Sequence, residues 1–150
     1  MNKQLNQLID FHKVFEIPFL EKMGYPDIKV AQLRASLTQE EGREVIDELL
    51  TNEDNLDKVA KELCDLLYVT FGTIISYGLQ DKIEQCFDEV HKSNMSKLLP
   101  CKEAINDDGT CVSDTCYIFH RKPLIREDGK ILKSNMYVQA DIKKILDTND

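Results

Sequence analysis

The chain has 150 residues, 42% hydrophobic and 31% charged, a balance that fits one soluble globular domain able to bury a core without disulfide staples. Nineteen lysines and arginines against 27 acids leave a formal charge of −8, which repels a nucleic-acid backbone. No apolar run approaches the roughly 20 residues that span a bilayer, and the opening "MNKQLNQLIDFHK" mixes charged with apolar positions as a secretory leader does not, so no membrane contact and a cytoplasmic setting are expected.

Leu5, Leu8, His12 and Phe15 recur at steps of three or four and predict a first helix over residues 3 to 16. Pro18, Gly24 and Pro26 then mark a connection, because proline fixes its own φ and restricts the residue before it. A second helix starts near Val30. Leu33, Leu37, Glu40, Glu44 and Glu48 share its expected inward side. After the break "NEDN", the segment "LDKVAKELCDLLYVTFGTIISYGL" predicts a third, more apolar helix that stops at Gly78.

The fourth helix, "DKIEQCFDEVHKSNMSKLL", places Ile83, Phe87, Val90, Asn94 and Lys97 on one stripe whose last two turns are polar. From about residue 99 to 138 the character changes. Asp108-Gly109 and Asp128-Gly129 are turn signals between short β-favouring runs, which predict loops and a hairpin. "ADIKKILD" closes the chain as a short helix within 139 to 148. The expected architecture is a single all-α domain of four or five helices with its core in residues 3 to 98.

The chemistry is concentrated in carboxylates. Glu40, Glu41 and Glu44 on the second helix, and Glu62 and Asp65 on the third, are spaced three or four residues apart, so each set shares a helix face. Most acidic runs are solvated faces. Here Glu44 falls in the direction of Leu33 and Leu37, and Glu62 near that of Val59, Leu66 and Val69, which predicts acids on the core side. Ionised carboxylates near a bundle interior need cations or protons. Oxygen donors without paired His or thiolate favour Mg²⁺, with Mn²⁺ as a substitute, and Mg²⁺ commonly bridges to phosphates.

The order E-E-x-x-E, a 17-residue spacer, E-x-x-D within "KELCDLLYVTFG", and then "EVHKSNMSK" resembles the all-α nucleoside triphosphate pyrophosphohydrolases. These include the MazG-like and phosphoribosyl-ATP pyrophosphohydrolase-like proteins, with the dimeric dUTPases as relatives. The resemblance covers about residues 8 to 98 and extends weakly to "DGKILK" and "ADIKKIL". It implies a helical bundle assembling as a homodimer or a dimer of dimers. It also implies Mg²⁺-dependent cleavage of a nucleoside triphosphate between the α and β phosphates, giving a monophosphate and pyrophosphate. The metal ligands it implies are Glu40, Glu41, Glu44, Glu62 and Asp65, and the phosphate-binding residues are Asn94 and Lys97. Glu41 or Glu44 is the candidate for activating the water. By the same analogy dUTP is the first substrate to test, in a role of clearing unwanted nucleotides.

His12 could meet a base, although a histidine on an apolar stripe is more often packed core. Arg34 and Lys130 could reach phosphates, as surface cations often can. Five cysteines, an odd number at irregular spacing, fit a reducing compartment. Cys101, Cys111, Cys116 and His120 lack the paired C-x-x-C knuckles of a strong zinc site. Two other functions compete with the enzymatic one: an acidic helical module for a basic partner, and a di-iron carboxylate bundle. Asp88-x-x-His91 and Glu62-x-x-Asp65 resemble its ligand pairs, but the second reading fails on count, since of the three histidines His91 alone has an acid three residues before it.

Overall fold

The computed structural model describes residues 2–51, 55–100 and 121–148, and within them five helices and one two-stranded pair. Two compact units divide the chain, Met1–Glu84 and Gln85–Asp150. The expected all-helical class is the one observed. Among the described residues no helix is long and apolar enough to cross a membrane.

In the first unit, α1 (Asn2–Val14), α2 (Ile28–Leu50) and α3 (Leu56–Ser76) pack together. Leu5 and Leu8 on α1 meet Ile74 and Ile75 on α3, and Ile9, Phe19, Phe71, Leu79 and Ile83 close around them. This is the apolar stripe expected for α1, except at its end. The helix stops at Val14, Glu16 turns to a φ of 54°, and Phe15 is left 63% exposed.

The connection after α1 is tied to the end of α3. Leu20 N–H donates to Ile75 O, Gly24 N–H to Tyr77 O, and the Gln80 amide to Leu20 O and Glu21 O. Gly78 permits this closeness. Its φ is +64°, and a Cβ there would lie 2.1 Å from Lys22 O. Leu79 N–H reaches back to Ile74 O and Gly78 N–H to Ile75 O, satisfying the last carbonyls of α3 in a Schellman cap. The stop expected at Gly78 is therefore met.

Two inward faces differ from those expected. On α2 the buried residues are Arg34 and Val45, with Glu41 and Glu48 half-buried, while Leu33 is 53% exposed and Glu44 is exposed. The face is turned by less than one residue step, roughly 60°, so that Leu37 and Glu48 of the expected side stay half-buried. Apolar residues stand on several sides of α2, with Ile46 and Leu49 also exposed, so periodicity alone has no unique direction, and packing on α3 selects one.

In the second unit the offset is of the opposite sense. Helix α4 (Ile83–Met95) buries Cys86 and Ser93, each one residue before the Phe87 and Asn94 expected, whereas Phe87, Val90 and Asn94 are exposed. It ends before Lys97, because Ser96 turns its hydroxyl to the carbonyls of Ser93 and Val138. Strand β1 (Leu99–Pro100) pairs antiparallel with β2 (Arg121–Lys122), Leu99 opposite Lys122. The Asp128-Gly129 turn is present, with Gly129 at φ +84° and Ile125 bridged to Ile131. Helix α5 (Ile142–Leu146) is capped by Asp141, whose carboxylate accepts from Lys144 N–H. The Asp108-Gly109 turn and the Cys101 to His120 segment lie outside the described residues.

Candidate metal centre

Each acid arrives on a regular helix. Asp27 caps α2 by accepting from Lys29 N–H, after which the helix runs unbroken through Gly42. On α3, Glu62 and Asp65 stand one turn apart on the side turned towards α2. Glu41, Glu62 and Asp65 each offer one carboxylate oxygen, and these oxygens lie within 4.8 Å of one another. All three residues are half-buried. Two helices thus supply a compact all-oxygen donor set, the kind hard divalent cations prefer.

Glu44 sits at the border of this group. Lost hydration first, then the charges of Glu41 and Glu62, push its carboxyl above the ordinary range, and it lies close enough to Glu62 to share a proton. Like charges at this spacing must be relieved by a proton or a cation. The structure supplies one cation of its own. Lys61 Nζ lies 2.8 Å from Asp65 Oδ2 and 3.1 Å from Glu62 Oε1, and these bonds hold its ammonium well above the usual lysine range.

The expected ligands therefore separate. Glu41, Glu62 and Asp65 converge, Glu44 adjoins them, and Glu40 is exposed outside the group. Asn94 and Lys97 belong to the second unit, where Lys97 Nζ donates to Asn94 Oδ1 at 2.6 Å. Tyr137 is placed with them: a bond with Ser93 first, then the ammonium groups of Lys133 and Lys97, hold its phenol below the ordinary value.

His12 needs correction as a substrate contact. Only 2% of it is exposed, and its ring lies edge-on to Phe11 and Phe19 within the core. Burial, then the charge of Arg34, lower its pKa and favour the neutral ring.

Sequence reasoning passed over Lys61, although its i, i+4 relation to Asp65 was a usable signal. It also left Arg34 among the surface cations. In the structure Arg34 is buried, and its guanidinium lies over Gly72, the glycine that gives it room.

With this geometry in place, the family model described as phosphoribosyl-ATP pyrophosphohydrolase matches residues 8–94, which take in every acid of the cluster. A search of the curated proteins finds no match.

Proposed function

The chain belongs to the phosphoribosyl-ATP pyrophosphohydrolase family, hydrolases acting on phosphoric anhydrides, and from that premise we propose a Mg²⁺-dependent nucleoside triphosphate pyrophosphohydrolase that cleaves between the α and β phosphates. The observation that carries this reading is the convergence of Glu41, Glu62 and Asp65 from two helices. Together with Glu44, and with Glu40 one residue away, they would hold the cation, with Mn²⁺ as a substitute. A bound divalent ion there supplies charge neutralisation for the phosphate oxygens.

The chain's own groups do the rest. The water oxygen bonds to the α phosphorus, the bridging oxygen leaves with pyrophosphate, and the water proton passes to a carboxylate. Glu41 or Glu44, beside the proposed cation, is the candidate for that role. Asn94 and Lys97 would bind phosphate oxygens through an amide and an ammonium.

The substrate we put first is dUTP, in clearance of unwanted nucleotides in the cytoplasm, and the assembly a homodimer or a dimer of dimers. Exposed Leu33, Ile46 and Leu49 on α2, and Leu63 and Leu67 on α3, give helix faces suited to self-association. The test is a panel of dUTP, dCTP, other nucleoside triphosphates and phosphoribosyl-ATP with Mg²⁺, separating monophosphate plus pyrophosphate from diphosphate plus phosphate. Release of diphosphate, or no turnover with either Mg²⁺ or Mn²⁺, would overturn the proposal.

A further inference from the structure

Lysines gather where α4 ends. Lys97 is half-buried and Lys133 exposed, and among the described residues neither pairs with a carboxylate, in a chain whose acids outnumber its bases 27 to 19. A lysine near a helix C-terminus ordinarily answers the open carbonyls there. At this end they are already answered. Lys92 O accepts from Ser96 N–H, Ser93 O from the Ser96 hydroxyl, Asn94 O from Lys97 N–H and Met95 O from Leu98 N–H. The two ammonium groups need another reason.

The chain near its C-terminal end is pinned beside them. Ser93 Oγ donates to Val138 O at 2.8 Å and Val138 N–H donates to Ser96 Oγ at 2.8 Å, so both backbone groups of Val138 are held against the end of α4. Its neighbour Tyr137 stands at the same turn, within bonding reach of Ser93. Lys133 folds back over Tyr137, with Nζ 4.3 Å from the ring centroid, a cation on the face of an aromatic ring. The charges of Lys133 and Lys97 both act on the Tyr137 phenol, so the two ammonium groups stand around one side chain.

What this place offers a ligand is donors. Lys97 Nζ donates to Asn94 Oδ1 at 2.6 Å, which occupies the amide's carbonyl and leaves its NH₂ group as the open end. Each ammonium keeps further N–H bonds beyond those it makes here. Two like charges around one ring repel each other until an anion joins them. An oxyanion with several oxygens, each accepting a charge-assisted bond, answers that arrangement.

We propose that Lys133 is a third phosphate ligand beside Asn94 and Lys97, and that Tyr137 is the positioning residue that carries it there. The ligand is a phosphate group of the nucleotide. This rests on the pyrophosphohydrolase reading, which gives Asn94 and Lys97 to the phosphates, and adds to them a cation from beyond the β1–β2 pair. The ring holds the ammonium on its face, so the aromatic body matters and the hydroxyl does not. A lysine held in this way loses less rotamer freedom when the anion arrives.

The experiment measures binding of inorganic pyrophosphate and of dUTP by calorimetry without metal, so that the acids of α2 and α3 cannot hold the ligand through a cation. Lys133→Met should weaken both by about tenfold or more, and Lys133→Arg should restore most of the affinity. Tyr137→Leu should weaken both by about threefold or more, whereas Tyr137→Phe keeps the ring and stays near wild type. Lys144→Met removes a charge from α5 and serves as the control for net charge, with little change expected. Thermal melts confirm that each variant is folded. A loss in K133M no larger than that in K144M overturns the inference, as does a loss for pyrophosphate with dUTP unaffected. So does a Tyr137→Phe defect as large as that of Tyr137→Leu, or a wild type that binds neither ligand. Absence of hydrolysis with metal present would sink the pyrophosphohydrolase reading, while the metal-free affinities would still decide the part played by Lys133.

Discussion

Lys61 Nζ lies 2.8 Å from Asp65 Oδ2, one turn along α3, and so occupies an oxygen that a divalent cation would need. The ammonium and the metal are competitors for the same charge. Replacing Lys61 by Met should therefore tighten Mg²⁺ binding by roughly threefold or more, since one compensating charge is withdrawn from the acids. Calorimetric titration in wild type and K61M checks this. Unchanged or weaker affinity in the variant would show that Lys61 supports the site instead.

The carboxylates themselves should be indispensable to turnover and dispensable to folding. Glu41→Gln and Asp65→Asn each remove a charge from the three-oxygen group without changing shape. Pyrophosphate release should fall by at least about 100-fold in each. Mg²⁺ should raise the melting temperature of the wild type and much less that of either variant, by linkage. Metal-independent melting temperatures stay close to wild type if the acids serve the site and not the core.

His12 gives a pH dependence of definite sign. Its folded-state pKa is lowered by burial and by Arg34, against an unfolded value of about 6.5. Above that pH both states hold a neutral ring. As pH falls below it the unfolded chain binds the proton first, so stability is lost until pH passes the lowered folded value. Thermal melts of wild type and His12→Phe between pH 7.5 and 5 should diverge in that direction, the wild type losing more. Parallel curves would remove His12 from the account.

Two glycines predict opposite signs. Gly78→Ala meets both a left-handed φ of +64° and Lys22 O at 2.1 Å, so it should destabilise by about 2 kcal/mol or more. Gly42→Ala lies inside α2 with nothing within 4 Å of the added methyl, and should stabilise by about 0.5–1 kcal/mol. Denaturant melts of both variants provide the comparison.

Leu49 is 60% exposed on α2. If this face joins two copies, Leu49→Glu places a charge in the interface and should shift light-scattering mass from dimer to monomer at micromolar concentration. A wild type that is already monomeric would discard the assembly.

The existence and order of the helices were legible from periodicity, since α3, α4 and the short α5 lie within the expected segments and α1 and α2 begin one and two residues ahead of theirs. So was the stop at Gly78, where one residue type answers one conformational need. What periodicity misjudged was direction. On both α2 and α4 the buried line runs through the neighbours of the residues expected, Arg34 and Val45 in place of Leu33 and Glu44, and Cys86 and Ser93 in place of Phe87 and Asn94. A helix with apolar residues on several sides fits more than one orientation, and only its packing partner removes the degeneracy.

The sequence by itself determined the chemistry available: five acids at helical spacing, no histidine or thiol partnered to them, and a run of motifs specific enough to indicate a family. Spacing along a chain fixes which side chains share a face, because 3.6 residues make a turn. Only the tertiary structure decided that Glu41 joins Glu62 and Asp65 while Glu40 does not, that Lys61 stands among them, and that Arg34 is buried against Gly72. Those outcomes depend on how one helix is rotated against another, a quantity set by packing between residues that lie far apart in the chain.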